Sequence, residues 1–175
     1  MASDDEATTL LRQAAAADPE VPVRVRDMLS AGAPLESIVL TADGRWLYQG
    51  RPVGHPRVVA LFHRSVRRTA AGTWLLAVGP YVYPVTVERT GWFIARLLRD
   101  GREAELLGGE AVEIGAAPEA RTDGETIVDV LLPGDRWARV TGAAYQQLGE
   151  LLDVRDGLWV VRWPWGDWTL TAEEA

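Results

Sequence analysis

From residue 37 onward, apolar and polar positions alternate along much of the chain, and a period of two predicts β-strands. Residues 38–40 and 46–48 are the first two such runs, and Asp43-Gly44 between them is a turn signal, so the pair predicts a hairpin. The same pattern predicts seven more strands, at 74–78, 81–87, 92–98, 103–107, 111–114, 126–132 and 136–140.

Two later segments have apolar residues at helical spacing instead. Residues 56–68 place Val58 and Phe62 on one face and begin with Pro56, whose missing N–H costs nothing in a first helical turn. Residues 143–154 repeat the pattern. Each segment is followed by a predicted hairpin.

Residues 1–36 lack the strand pattern. The acidic start Asp4-Asp5-Glu6 followed by an alanine run predicts a short helix that ends near Asp18, and residues 23–31 predict a second. We interpret residues 1–36 as an N-terminal helical appendage that packs on one side of the core.

The order strand, helix, Gly-x-Trp, hairpin occurs twice. Placing Val53 on Val140 puts Val58 on Tyr145, and after a two-residue gap Gly72-Thr73-Trp74 meets Gly157-Leu158-Trp159. Chance agreement of two helix–strand units is the alternative. The duplication predicts an α+β fold with a repeated strand-helix-hairpin unit and mostly antiparallel sheets. The predicted domains are 1–36, 37–100 (first repeat) and 101–175 (second repeat).

The amino-acid composition excludes most of the known kinds of catalytic site. The chain has no Cys, and all 18 of its Lys and Arg positions are Arg, so thiol, Schiff-base and Walker-lysine chemistry are excluded. We therefore expect a non-enzymatic protein with no cofactor and no metal. An enzyme is a rival reading that would need His55 in a cleft beside Glu88 or Asp135.

The net charge and the hydropathy pattern limit the classes of partner that we expect. A formal net charge of −7 argues against a general nucleic-acid surface. The acidic N-terminus is unlike a secretory signal, and the longest apolar runs are too short to span a bilayer. We expect a cytoplasmic protein with no membrane contact.

Residues 44–87 contain six Arg and both His but neither Asp nor Glu. Arginine forks that lack internal carboxylates are suited to phosphate or carboxylate groups of a ligand. The alternative is that these arginines pair with acids of the other repeat.

The sharpest candidate site in this segment lies at the start of the first long helix. Arg51, His55 and Arg57 surround a helix N-terminus, the end that favours anions, and Arg64 lies two turns along the same stripe. These four residues predict a site for an anionic small molecule. His63 falls opposite the apolar stripe and is expected to be solvated.

Eight Trp residues offer a second kind of surface. Four of them crowd the C-terminal hairpin, at Trp159, Trp163, Trp165 and Trp168. These rings either pack in the hydrophobic core or contact a protein partner. The alternative function is therefore a protein–protein interaction domain that uses this hairpin.

The stretch Leu-Thr-Ala-Asp-Gly-Arg-Trp-Leu-Tyr-Gln-Gly-Arg-Pro-Val-Gly-His-Pro at 40–56, followed by Val59-Ala-Leu-Phe62 and Gly72-x-Trp74, resembles a bacterial family called domain of unknown function 1285 (DUF1285). The resemblance implies a duplicated α+β core whose C-terminal half is pleckstrin-homology-like. It also implies a nucleotide-like ligand and a signalling role, with no assigned activity. His55 departs from the family pattern, where arginine is usual.

Overall fold

A computed structural model describes residues 4–115 and 118–172, and the chain divides into two compact units between Gly91 and Trp92. The first unit contains α1 (Asp4–Ala17), α2 (Val23–Ser30), β1 (Ile38–Leu40), β2 (Trp46–Tyr48), β3 (Arg51–Pro52), α3 (Pro56–Ser65), β4 (Val66–Arg68), β5 (Trp74–Val78), β6 (Tyr81–Pro84) and β7 (Thr86–Val87). The second contains β8 (Trp92–Leu98), β9 (Glu103–Leu106), β10 (Ala111–Glu113), β11 (Ala120–Thr122), β12 (Val128–Leu132), β13 (Arg136–Val140), α4 (Gly142–Leu151), β14 (Leu152–Arg155), β15 (Leu158–Trp163) and β16 (Gly166–Ala172).

The first unit has two sheets, and the chain passes directly from one to the other between β6 and β7. Their strand orders are β3-β2-β1-β7 and β4-β5-β6, and all neighbours are antiparallel except β1 and β7. Val85 joins β6 to β7, and its N–H donates to the Trp74 carbonyl at 3.0 Å. The full order therefore reads β3-β2-β1, then β7 with β6, then β5-β4.

The second unit repeats this order within one nine-stranded sheet. The sheet runs β10-β9-β8-β13-β12-β11-β16-β15-β14, and its last six strands match the first unit strand for strand. The parallel pair β11–β16 stands where β1–β7 stands. The fold is therefore α+β with a duplicated unit, as predicted. We call residues 38–87 the first copy and residues 120–172 the second copy.

The copies differ from the predicted domains at their borders. Strand β8 pairs with β13 and with β9, so it belongs to the second unit, and the predicted border at 100/101 falls in the turn between β8 and β9. The strands β8, β9 and β10 extend the sheet beside the second copy and have no counterpart in the first. The pleckstrin-homology-like character of the C-terminal half stays a prediction.

Register defines which residues are equivalent in the two copies. Trp74 faces Val85 as Trp159 faces Leu170, which agrees with the predicted match of Trp74 and Trp159. The helices begin after His55 and Thr141, so Val58 corresponds to Ala144. The predicted match of Val58 with Tyr145 is wrong by one residue.

Both amphipathic helices end three residues earlier than their apolar pattern predicts. At Val66 and at Leu152 the backbone turns to an extended conformation, with φ −77° and ψ 134° in the first case and φ −74° and ψ 133° in the second. Strands β4 and β14 begin at these residues. Each helix therefore passes directly into the first strand of a three-stranded antiparallel meander.

The N-terminal helices cover one face of the first meander. Leu75 is fully buried with Ala15, Val21 and Leu29 of the helical segment, and Val82 packs against this cluster. Burial of apolar area by both helices stabilises the meander by about 25 cal/mol for each Å² removed from water.

A buried carboxylate fastens the α1–α2 turn to the β4–β5 turn. Asp18 is 2% exposed, and its Oδ2 accepts a hydrogen bond from the Thr69 hydroxyl at 2.6 Å. Burial raises the pKa of Asp18, but hydrogen bonds from Thr69, Thr73 and the Glu20 N–H outweigh burial and lower it below its ordinary value.

The corresponding face of the second meander carries charged side chains. Arg155 pairs with Asp167 at 3.0 Å, and Arg162 lies 3.6 Å from Asp153. Asp167 stands where Val82 stands in the first copy. At the place of Val82, the sheet face is thus apolar in the first copy and charged in the second.

Candidate functional site

Arg51 lines a surface cavity at the β2–β3 turn. Gln49 and Gly50 form the turn, both with left-handed backbone (φ 50° and 72°), which is the requirement of a two-residue hairpin turn. The cavity has a volume of about 550 Å³ and is also lined by Tyr48, Gln49, Pro52 and Val53. The short turn therefore places the Arg51 guanidinium on an exposed edge strand beside a phenol and an amide.

Glu36 holds one wall of this cavity. Its Oε2 accepts a hydrogen bond from the Tyr48 hydroxyl at 3.0 Å, and that bond raises the pKa of Tyr48. The Gln49 amide donates to the Tyr48 oxygen at 3.3 Å. Tyr48 and Gln49 are therefore positioned by contacts within the first unit.

The other three predicted site residues lie on α3. His55 is the exposed N-cap residue, and its side chain makes no capping hydrogen bond. Arg57 is in the first turn and Arg64 in the last, and both side chains are exposed. The rise of 1.5 Å per residue separates Arg57 from Arg64 by about 10 Å along the helix axis.

The backbone contributes little to this helix start. Pro56 has no N–H, and the N–H groups of Val58 and Val59 both donate to the His55 carbonyl, at 2.9 and 3.0 Å. Of the N–H groups in the first helical turn, that of Arg57 therefore remains for an anion. An anion here would depend on side chains.

Acidic partners distinguish the predicted site from most of the chain's other arginines. Within residues 4–115 and 118–172, Arg51, Arg57 and Arg64 have no carboxylate within ion-pair distance. Ion pairs do form in the same region at Arg45 with Asp43 and at Arg67 with Glu20. Seven arginines of the second unit are also paired: Arg96, Arg99, Arg121, Arg136, Arg139, Arg155 and Arg162.

The expectation for His63 is wrong. Its side chain is 8% exposed and its ring centroid lies 5.8 Å from that of Trp46. Burial lowers the pKa of His63, and a hydrogen bond with the Gly44 backbone acts in the opposite direction. The residue belongs to the interior of the first copy because α3 is covered on this side by the β1–β2 turn.

Most rings of the Trp-rich hairpin pack inward. Trp168 is fully buried, and Trp163 and Trp165 are half-buried against the same core. The Trp165 N–H donates to the Asp100 carbonyl at 2.7 Å, and the Arg102 guanidinium lies 5.2 Å from that ring. Of the four rings, Trp159 is the most exposed, at 42%.

A smaller cavity, which the sequence does not predict, lies beneath α4. It has a volume of about 130 Å³ and lies between the helix and the strands of the second copy, where Val128, Leu148, Gly149 and Trp159 line it. Aligning the two copies residue by residue would have found it, because Val128 and Gly149 stand where the first copy has Trp46 and His63.

No helix in the described part of the chain is long and apolar enough to cross a membrane. Among the same residues, no three His, Asp or Glu side chains form a group that would hold a metal ion.

The fold has a counterpart among solved structures. A DUF1285 family protein from Silicibacter pomeroyi DSS-3 superposes with a TM-score of 0.59 and 18% identity, over 78% of this chain and 80% of that chain. The chain shares the DUF1285 fold. A second DUF1285 family protein, from Shewanella baltica OS155, aligns with a TM-score of 0.47 and 16% identity, over 66% of this chain and 91% of that one. No family model and no curated protein sequence matches the chain. The resemblance drawn from residues 40–74 is therefore confirmed for the DUF1285 fold, and that fold assigns no activity.

Proposed function

We propose that this protein is a non-enzymatic regulatory module that binds a small anionic ligand through Arg51, His55, Arg57 and Arg64. The observation that carries the proposal is the absence of carboxylate partners for these three arginines among the described residues, while nine other arginines are ion-paired. A guanidinium fork without a carboxylate keeps its donors available for a phosphate.

The spacing of the arginines favours a ligand with more than one charged group. Arg57 and Arg64 are about 10 Å apart along α3, so each side chain can hold a different charged group of one ligand. A nucleotide with two or three phosphates has that reach. Arg51, beside its cavity of about 550 Å³, would contact a third part of the ligand.

The same surface supports binding more than catalysis. His55 is exposed and no carboxylate is within ion-pair distance of it in the described part of the chain. An acid–base pair that works on a bound substrate needs such a neighbour to set its charge and orientation. A signalling or regulatory role follows from binding without turnover.

The test is calorimetric titration of the whole chain with ADP, ATP and inorganic pyrophosphate. Replacing Arg57 or Arg64 by alanine should weaken binding by about 1.5–3 kcal/mol, the range for hydrogen bonds to charged groups, which is roughly 10- to 150-fold in Kd. Arg24→Ala is the matched control, because Arg24 is also exposed on a helix but lies outside the site.

Added salt should weaken binding of the same ligands, because exposed charges are screened beyond about 8 Å at physiological ionic strength. Equal affinities for the Arg57→Ala, Arg64→Ala and Arg24→Ala variants would reject the site. So would the absence of binding to all three anions.

A further inference from the structure

In the first copy, side chains fill the space that corresponds to the cavity beneath α4. Beneath α3, the Trp46 ring is 1% exposed and meets the Phe62 ring edge to face, with 5.3 Å between ring centroids. His63 closes the same space from the helix side, 5.8 Å from Trp46. Three rings thus fill the gap between helix and sheet.

The second copy has smaller side chains at all three places. Register puts Val128 at the place of Trp46, because Val128 pairs with Thr122 as Trp46 pairs with Leu40. Helix position puts Leu148 and Gly149 at the places of Phe62 and His63. The space that remains is about 130 Å³.

Gly149 shows that the space is open on the helix side. A Cβ atom built on Gly149 would have no heavy atom within 4 Å outside the helix's own backbone. Glycine inside a helix is less stable than alanine, so the local backbone gains nothing from it. Its effect in the second copy is to leave room.

The cavity opens to solvent between apolar side chains. Tyr145, Leu152 and Trp159 line it and are 37%, 40% and 42% exposed. Apolar cavities of about 150 Å³ stay dry and bind single aromatic rings. Glu125 also lines the opening and disfavours anionic groups there.

We infer that this cavity is a binding site for a small, uncharged aromatic molecule, whose ring takes the place that the Trp46 indole takes in the first copy. The ring would lie between Val128 and Gly149, with Tyr145 and Trp159 at its exposed edge. This site is in the second copy and is independent of the arginine site on α3.

Indole is the direct probe, because the equivalent space already accommodates that ring. Titration of the whole chain followed by protein-observed NMR should show saturable shifts for residues of α4 and β15. Indole-3-carboxylate should bind about tenfold or more weakly, because its charge would approach Glu125.

Two variants should close the cavity. Gly149→Leu adds a side chain from the helix, and Val128→Trp restores the residue of the first copy. Both should weaken indole binding by about tenfold or more. Gln146→Leu is the matched control, because Gln146 is exposed on α4 and does not line the cavity, so its affinity should equal that of the wild type.

Circular dichroism establishes that each variant is folded, and either closing variant alone suffices for the comparison. The inference is overturned if wild-type protein shows no saturable indole binding. It is also overturned if a folded closing variant binds indole as tightly as Gln146→Leu.

Discussion

Trp46→Ala should be one of the most destabilising single changes in the first copy. The ring is 1% exposed and packs edge to face on Phe62, with an interplanar angle of 78°. Truncating a buried tryptophan costs about 3–5 kcal/mol, and losing an aromatic pair adds about 0.5–1.5 kcal/mol. We therefore expect the free energy of unfolding to fall by about 3.5–6.5 kcal/mol.

The equivalent change in the second copy should be much milder. Val128 already borders a cavity, so Val128→Ala removes two methyl groups from a wall that is only partly packed. At about 0.8 kcal/mol for each buried CH₂-sized group, the expected loss is about 1.5 kcal/mol.

Guanidinium chloride unfolding followed by far-UV circular dichroism measures both changes, since it does not depend on tryptophan emission. Each unit is fitted as its own transition where two transitions separate. A loss below about 2 kcal/mol for Trp46→Ala, or equal losses for the two variants, would mean that Trp46 does not fill the space assigned to it.

Three further predictions concern buried groups. Because burial lowers the pKa of His63, its contribution to stability is complete above its ordinary value of 6.5 and is lost as pH falls below that value and through the lowered one. Unfolding measured between pH 7.5 and pH 5 should therefore lose less stability in His63→Gln than in the wild type, and equal pH slopes would contradict this. Asp18→Ala leaves the Thr69 hydroxyl without its buried acceptor and should cost about 1.5–3 kcal/mol at neutral pH by chemical denaturation, with Glu119→Ala, an exposed acid, as the unaffected control. Gly101→Ala should also destabilise the protein, by about 1–3 kcal/mol, since its φ is 81° and its Cβ would lie 2.5 Å from the Trp163 ring; an unchanged melting temperature would show that the turn relaxes freely.

The local pattern of apolar residues is sufficient to predict five of the strands. Residues 38–40, 46–48, 74–78, 92–98 and 136–140 were predicted as strands and are strands with the same bounds. The duplication was also readable, because the motif Gly-x-Trp recurs at the start of β5 and β15.

The ends of the helices were not readable from the same pattern. Val66 follows Phe62 by four residues, and Leu152 follows Leu148 by four, so both continue the apolar face of a helix. The same two residues also begin strands β4 and β14. Pairing with β5 and β15 decides in favour of the strand, and such pairing is a tertiary contact.

Strand β11 was missed for a related reason. Ala120-Arg121-Thr122 lies between the predicted strands at 111–114 and 126–132, and its strand conformation depends on neighbours β12 and β16. His63 was misplaced because the helix has a second covered side, formed by the β1–β2 turn.

The sequence predicts Arg57 and Arg64 on one helix and His55 just before it, but it does not predict the two-residue strand that holds Arg51. The calorimetric titration tests whether one ligand binds to all four residues. The cavity beneath α4 required comparison of the two copies, because no single segment of sequence shows an empty space.

The two copies have different residues on the same face of the meander, and this difference suggests how a shorter protein could be designed. A chain that began at residue 37 would leave Leu75 and Val82 facing water, because α1 and α2 cover them. In the second copy, Arg162 and Asp167 stand where the first copy has Ala77 and Val82, and Val160, at the place of Leu75, is 6% exposed. Ala77→Arg and Val82→Asp would place the same two charged side chains on the face of the first copy that α1 and α2 cover. The second copy therefore shows which substitutions a version of the first copy without these helices would need.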